Sequence, residues 1–322
     1  MSTSPPSVDL HALAGRVRTA MGAVVVGQDD AVDALLVAWL AGGHVLLEGV
    51  PGVGKTLLAR ALAQVLGLDF GRVQFTPDLM PADVTGGSIY DFRTQQFRVE
   101  RGPVFCQVLL ADELNRAPPR TQSALLEAMQ ERQVTLDGTS HALDRRFFVV
   151  ATQNPLEQEG TWPLPEAQLD RFLLKVTVAP PDRTRELAVY RRFLDGDLTL
   201  AGAPKVLAPI VTAEERAGVD ASLAAVHVED SLLDYLHGLV ARTRGDVRLL
   251  EGASPRAALA LLAASRAWAA IQGRDFVIPD DLKQLAPSAL AHRLAPAPEA
   301  ELDGLDANSI LAGILDKLEV PR

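Results

Sequence analysis

Short apolar runs alternate with amphipathic stretches through the first 180 residues of this 322-residue chain. Five of the runs read as strands: 44–48 (HVLLE), 72–75 (RVQF), 108–112 (VLLAD), 147–152 (FFVVAT) and 173–178 (LLKVTV). They are rich in Val, Leu and Phe, and residues 57–67 (LLARALAQVLG) between the first two have a helical pattern. Apolar strands separated by helices predict a mostly parallel sheet covered on both faces. After Ala179-Pro180-Pro181 the strand signal largely disappears, and Ala/Leu-rich helical stretches follow at 221–226, 231–242, 255–272, 280–293 and 309–318. The expected fold is α/β: an αβα core with a five-stranded, mostly parallel sheet over 1–180, then an all-helical domain over 181–322. The boundary is placed near Pro180, with a looser connection through 202–209.

Two segments interrupt the strand–helix rhythm. Residues 133–143 (QVTLDGTSHAL) carry Asp-Gly between strand-like flanks, a hairpin signal. Residues 83–103 alternate apolar and polar positions through Ile89, Tyr90, Phe92, Phe97 and Val99. Each is either an edge hairpin packed on the core or a projecting functional loop.

One turn in the pattern is chemically specific. Gly49 to Thr56 read GVPGVGKT, of the form GxxxxGK[ST], between the apolar run ending at Gly49 and the helical stretch that follows. A strand, a glycine turn and a helix N-terminus make an anion site. Gly49, Val50, Pro51, Gly52, Val53, Gly54, Lys55, Thr56 and Leu57 are therefore the candidate phosphate-binding residues. The three glycines are expected to permit positive φ and close backbone approach. Lys55 would place a charge on the β and γ phosphates, and Thr56 a hydroxyl on Mg²⁺. The run 108–112 ends in acids and would deliver Asp112 and Glu113 to the carboxyl end of the sheet beside the loop. Asp112 suits the metal shell; Glu113 suits the base or water-positioning role at the γ-phosphate. A chance glycine turn and a pair of surface acids are the alternative readings of each motif taken singly. Together they predict a nucleoside triphosphate site with magnesium.

Composition narrows the setting. Hydrophobic residues make up 48% of the chain, yet no uninterrupted apolar stretch reaches the ~18 residues of a membrane span, and MSTSPPSVDL lacks a charged start and an apolar signal core. The expectation is no membrane crossing or export, and a cytoplasmic location. Cys106 is the only cysteine, which excludes an intramolecular disulfide; placed just before the strand 108–112, it reads as core filler. The six histidines have no metal-ligand spacing, so no zinc is expected. A net charge of −10, evenly spread and without a basic run, disfavours a nucleic-acid partner and favours protein clients.

GVPGVGKT, LLADELNRAPP, ATQNP, LPEAQLDRF and the later GASPRA, in this order, resemble the MoxR family of AAA+ ATPases. The resemblance runs from about Val24 to Leu294. It implies a P-loop αβα core followed by a helical lid, ATP as cofactor with Mg²⁺, hydrolysis to ADP and phosphate, and a ring, usually a homo-hexamer, with nucleotide at the interfaces. It also implies a chaperone-like remodeller that matures or activates other complexes, often with partners carrying von Willebrand factor A-type domains. The ATPase subunit of a metal chelatase and an AAA+ nucleic-acid motor share these motifs and remain alternatives.

The remaining candidates combine position with that resemblance. Asn154, ending the apolar run FFVVATQ, would stand beside the two acids where an amide can orient water, as sensor 1; otherwise it begins a turn with Pro155. Arg171 in LPEAQLDRF matches the arginine finger of similar proteins, against an ion pair with Asp170 or Glu166. Arg256 falls in the first turn of a helix that Ser254 caps and Pro255 starts, where a cation opposes the helix dipole and invites an anion. By resemblance it is sensor 2; otherwise it is solvated or carboxylate-paired. Val26, Gly27 and Gln28 resemble the segment that packs on adenine, and the inserts at 83–103 and 133–143 resemble loops that face a pore or client.

Overall fold

The computed structural model describes residues 7–155, 160–196 and 206–320. These divide into two compact units, one drawn from 16–164 and 176–212, the other from 1–15, 165–175 and 213–322. The units are not separated by a single cut near Pro180: 1–15 and 165–175 fall in the helical unit, and 181–212 in the other. Residues 202–205 of the expected connection lie outside the described residues.

In chain order the strands of the α/β portion are β1 (Val45–Glu48), β2 (Phe70–Gln74), β3 (Gly86–Asp91), β4 (Gln96–Arg101), β5 (Val108–Asp112), β6 (Gln133–Leu136), β7 (Thr139–Ala142), β8 (Phe148–Gln153) and β9 (Leu174–Thr177). Five of them form one sheet in the order β2-β5-β8-β1-β9, and the pairs β2/β5, β5/β8 and β1/β8 run parallel. All five expected strands are present, each within two residues of its expected ends. The central strands β5 and β8 are buried almost throughout, as continuous apolar runs in a covered sheet should be, whereas β2 at the edge exposes Arg72 and Gln74 and buries Val73 between them. The helices Asp29–Leu40, Lys55–Leu66 and Pro119–Glu131 each bury one face, contributing Leu35, Leu36, Trp39, Leu58, Leu62, Leu125 and Leu126 to the core.

Both expected inserts are antiparallel hairpins. β6 and β7 pair from Gln133↔Ala142 to Leu136↔Thr139, and the turn residues Asp137 and Gly138 both take positive φ, the requirement of a tight primed turn. β3 and β4 pair from Gly86↔Arg101 to Asp91↔Gln96, with Tyr90 packed edge-on to Phe92 and Phe97. Those rings stay exposed, Phe92 at 86% and Phe97 at 72%, so this insert projects from the core. Gly86 is obligatory here, because φ is 86° and a Cβ would collide with the Glu100 carbonyl.

The second unit is helical: Ala213–Ala224, Asp230–Gly245, Pro255–Ile271, Pro279–Leu290 and Ala307–Asp316, with one short antiparallel pair, Leu249–Glu251 against Ala295–Pro296. Ser254 Oγ accepts the Ala257 amide at 3.1 Å and Pro255 takes the first helical position, as the sequence predicts. Asp281 caps its own helix start by accepting the Ile278 amide and is gripped bidentately by Arg274 at 2.5 and 2.7 Å. Among the described residues no helix is long and apolar enough to cross a membrane.

Candidate nucleotide site

β1 ends at Glu48 and the chain enters the phosphate loop at Gly49. The three glycines divide the two expected uses, positive φ and close backbone approach, between them. Gly52 and Gly54 do, at 87° and 92°, with open space where a Cβ would sit. Gly49 is absent from the left-handed region; it is needed because a Cβ would strike the Val178 carbonyl of the chain segment alongside. The Gly49 amide bonds to the Gln153 carbonyl, and the Val178 amide to the Glu48 carbonyl at 2.7 Å, so the loop entrance is clamped from both sides.

The helix Lys55–Leu66 starts directly behind Gly54, which supplies no side-chain cap. Its first amides are thus left for an external anion. Lys55 Nζ turns onto the carbonyls of Gly49 and Val50 across the loop. Burial lowers its pKa from the usual lysine value, opposed by the charges of Asp112, Glu113 and Glu48. Val50 and Val53 are half-buried, Pro51 is exposed, and Leu57 lies in the first helical turn.

Asp112 ends β5, 8% exposed, with each carboxylate oxygen assigned. Oδ1 accepts the Thr152 hydroxyl at 2.7 Å; Oδ2 faces Thr56 Oγ1 at 3.4 Å and Arg72 at 2.8 Å. Glu113, the next residue, leaves the strand in a left-handed conformation (φ 58°, ψ 49°), which a non-glycine residue adopts at a cost. That turn brings its Oε2 to Gln74 Nε2 at 2.8 Å and Arg116 at 2.9 Å. Its amide donates to Thr152 Oγ1 at 2.8 Å. The structure thus brings together Lys55, Thr56, Asp112 and Glu113, and adds Thr152, Arg72, Gln74 and Arg116, to which the sequence reading gives no role. Strand alternation was the available signal: Arg72 and Gln74 flank buried Val73, an unusual polar pair beside the acid-bearing strand.

Asn154 follows β8 directly and is 8% exposed, as a residue at the carboxyl end of a central strand should be. Val26, Gly27 and Gln28 are half-buried, and the segment is fastened to the chain beyond β9: Gln28 Nε2 donates to the Ala179 carbonyl at 2.9 Å, and Arg185 reaches Asp29 at 3.4 Å. Cys106 is buried, and burial pushes its thiol up to about 12.

Arg171 and Arg256 belong to the helical unit. Asp170 pairs with Arg293 at 2.7 Å and with Arg256 at 3.5 Å. The carboxylate-paired alternative for Arg256 therefore describes its position here, while Asp170 is engaged by residues other than Arg171. Among the described residues Glu166 forms no ion pair with Arg171, and burial and the neighbouring Glu251 raise its pKa. Arg293 also donates to the carbonyls of Asp170, Phe172 and Leu173, fixing the backbone on both sides of Arg171.

Residues 44–174 match the model of the ATPase family associated with various cellular activities (AAA), and 241–314 match the AAA lid domain. Chaperone MoxR1 of Mycobacterium tuberculosis is 42% identical over 93% of this chain and 80% of its own length. This chain belongs to the MoxR family of AAA+ ATPases. The uncharacterised protein YeaC of Bacillus subtilis is 46% identical over 97% of this chain and 96% of its own. A crystal structure from Cytophaga hutchinsonii, assigned as an ATPase, superimposes with a TM-score of 0.88 at 41% identity, covering 97% of this chain and 96% of that one. The AAA+ assignment covers both the parallel-sheet core and the helical lid.

Proposed function

We propose that this chain hydrolyses ATP with magnesium as a homo-hexameric ring and uses the cycle to remodel or activate partner proteins. The observation that carries the chemistry is the convergence of Lys55, Thr56, Asp112 and Glu113 around one glycine loop. The residues fit a magnesium nucleotide: an uncapped helix start, two open left-handed glycines, and an acid whose outer oxygen faces a threonine hydroxyl. Loop residues 49–57 would cradle the phosphates, and Val26, Gly27 and Gln28 would flank the base. Thr56 and Asp112 would hold Mg²⁺, which when bound supplies positive charge to phosphate oxygens.

Glu113 is the residue to take a proton from, or orient, the attacking water, with Asn154 assisting. Arg171 would serve as the finger presented to a neighbouring copy, and Arg256 would sense the terminal phosphate from the helical lid. A relative named as a chaperone supports protein clients, and partners with von Willebrand factor A-type domains fit that role. The test is phosphate release by the purified chain with ATP and Mg²⁺, with and without such a partner, a chelatase subunit or DNA. No turnover under any of these conditions refutes the ATPase reading; stimulation by DNA alone refutes the protein-client reading.

A further inference from the structure

The two carboxylate oxygens of Asp112 have unequal freedom. Oδ1 is fixed inward by Thr152, a fully buried hydroxyl that also takes the Glu113 amide. Oδ2 is the oxygen that faces the loop, 3.4 Å from Thr56 Oγ1, and so it is the one available to a metal. Arg72 already grips this oxygen at 2.8 Å.

The geometry follows from strand register. Gln74 lies opposite Asp112 in the β2/β5 ladder, so the two side chains share a face. Arg72, two residues earlier, lies on that face as well, and its long side chain runs along the strand to reach the acid. β2 is the sheet edge and the Arg72 side chain is 44% exposed, so the guanidinium can withdraw into water. The same Nη2 that holds Asp112 also donates to Gln74 Oε1 at 2.8 Å, and Gln74 passes its amide to Glu113. A cation on the metal-facing oxygen is thereby linked through one amide to the second acid.

We propose that Arg72 is a resident counter-cation of the metal site. It neutralises Asp112 Oδ2 while magnesium is absent and gives that oxygen up when the ion enters with nucleotide. Two cations drawn to one oxygen repel each other at these distances. Arg72 therefore competes with magnesium, and its departure removes one of the two hydrogen bonds that hold Gln74 between the acids. This rests on reading Asp112 as the metal acid.

Fluorescent ADP binding titrated against Mg²⁺ tests it with Arg72→Met, which keeps the apolar stem and drops the charge, and Arg72→Gln, a second neutral variant. Both should lower the Mg²⁺ midpoint about fivefold, the strength of a partly exposed ion pair, while ADP affinity at saturating Mg²⁺ stays unchanged. A midpoint that is unmoved or raised in whichever variant folds, by circular dichroism, overturns the role of Arg72. Wild-type binding that ignores Mg²⁺, or that survives Lys55→Ala, overturns instead the underlying metal–nucleotide reading.

Discussion

Thr152 Oγ1 donates to Asp112 Oδ1 at 2.7 Å and accepts the Glu113 amide at 2.8 Å, so a single buried hydroxyl on β8 sets the positions of both acids on β5. Valine has nearly the same shape and neither capability. Thr152→Val should leave a buried acceptor and a buried donor unpaired, costing roughly 1–3 kcal/mol of stability for each. ATP turnover should also drop, because Asp112 and Glu113 lose their common reference point. Thr152→Ser should restore most of both. Urea unfolding and phosphate release measure the two effects, and a valine variant that matches wild type in both would show that the hydroxyl positions nothing.

Glu113→Gln preserves size but cannot accept a proton, so it should keep nucleotide affinity and lose most turnover, on the order of a hundredfold or more. Arg116 and Gln74 both donate to the Glu113 carboxylate, and an amide at 113 retains one acceptor oxygen for them. The loop should therefore stay folded. Lys55→Ala should instead lose binding. Near-normal hydrolysis by Glu113→Gln would remove this carboxylate from the chemistry.

Acid should weaken the core through His44. Its Nδ1 accepts the Val149 amide and its Nε2 donates to the Met129 carbonyl, so the buried ring is neutral and a second ring proton would face an N–H. Burial, with the nearby Arg132 charge, lowers its pKa to about 4. The unfolded chain binds that proton near the usual value of about 6.5. Stability is therefore complete above about pH 6.5 and falls as pH drops toward 4, by about 3 kcal/mol if this group acts alone. His292, with its pKa lowered to about 3 by burial and by Arg293, adds the same sign over a wider window. Denaturant unfolding from pH 7 to 4 should show this slope, and His44→Gln, which can still donate and accept, should flatten part of it. An unchanged slope would clear His44.

The sheet was legible because its strands are buried on both faces, so β5 and β8 appear in the sequence as unbroken apolar runs ending at polar residues. The helix Arg183–Leu194 was not. It buries none of its residues, and its short apolar stripe of Leu187, Tyr190, Phe193 and Leu194 is exposed and interleaved with four arginines, so it lacks the apolar content of a core-facing helix. Lys55, Thr56, Asp112 and Glu113 were legible because phosphate and metal chemistry constrain type and spacing together. Arg72, Gln74 and Thr152 were not, because each acts across strands that are neighbours only in space. The pairing of Asp170 with Arg256 and Arg293 likewise joins residues far apart in the chain.

Arg171 should act on the nucleotide of a neighbouring copy. Its backbone is anchored on both sides by Arg293, a 4%-exposed guanidinium that also satisfies Asp170. The anchoring fixes the base of the side chain while leaving Asp170 committed elsewhere, which suits a cation presented outward. Specific activity should then rise with protein concentration. Arg171→Ala should bind ATP yet hydrolyse it slowly, a loss of about a thousandfold if the finger contributes as such arginines do. Mixing it with Lys55→Ala should recover part of the activity, because some interfaces then pair an intact loop with an intact finger. Self-sufficient subunits cannot complement in this way, since each mutant copy carries its own defect. Asp170→Asn separates Arg171 from the two ion-paired arginines: it should weaken Arg293 and Arg256 together and lower thermal stability, whereas Arg171→Ala should leave stability within about 0.5 kcal/mol of wild type. Turnover independent of concentration, with no recovery on mixing, would return Arg171 to an ordinary surface role.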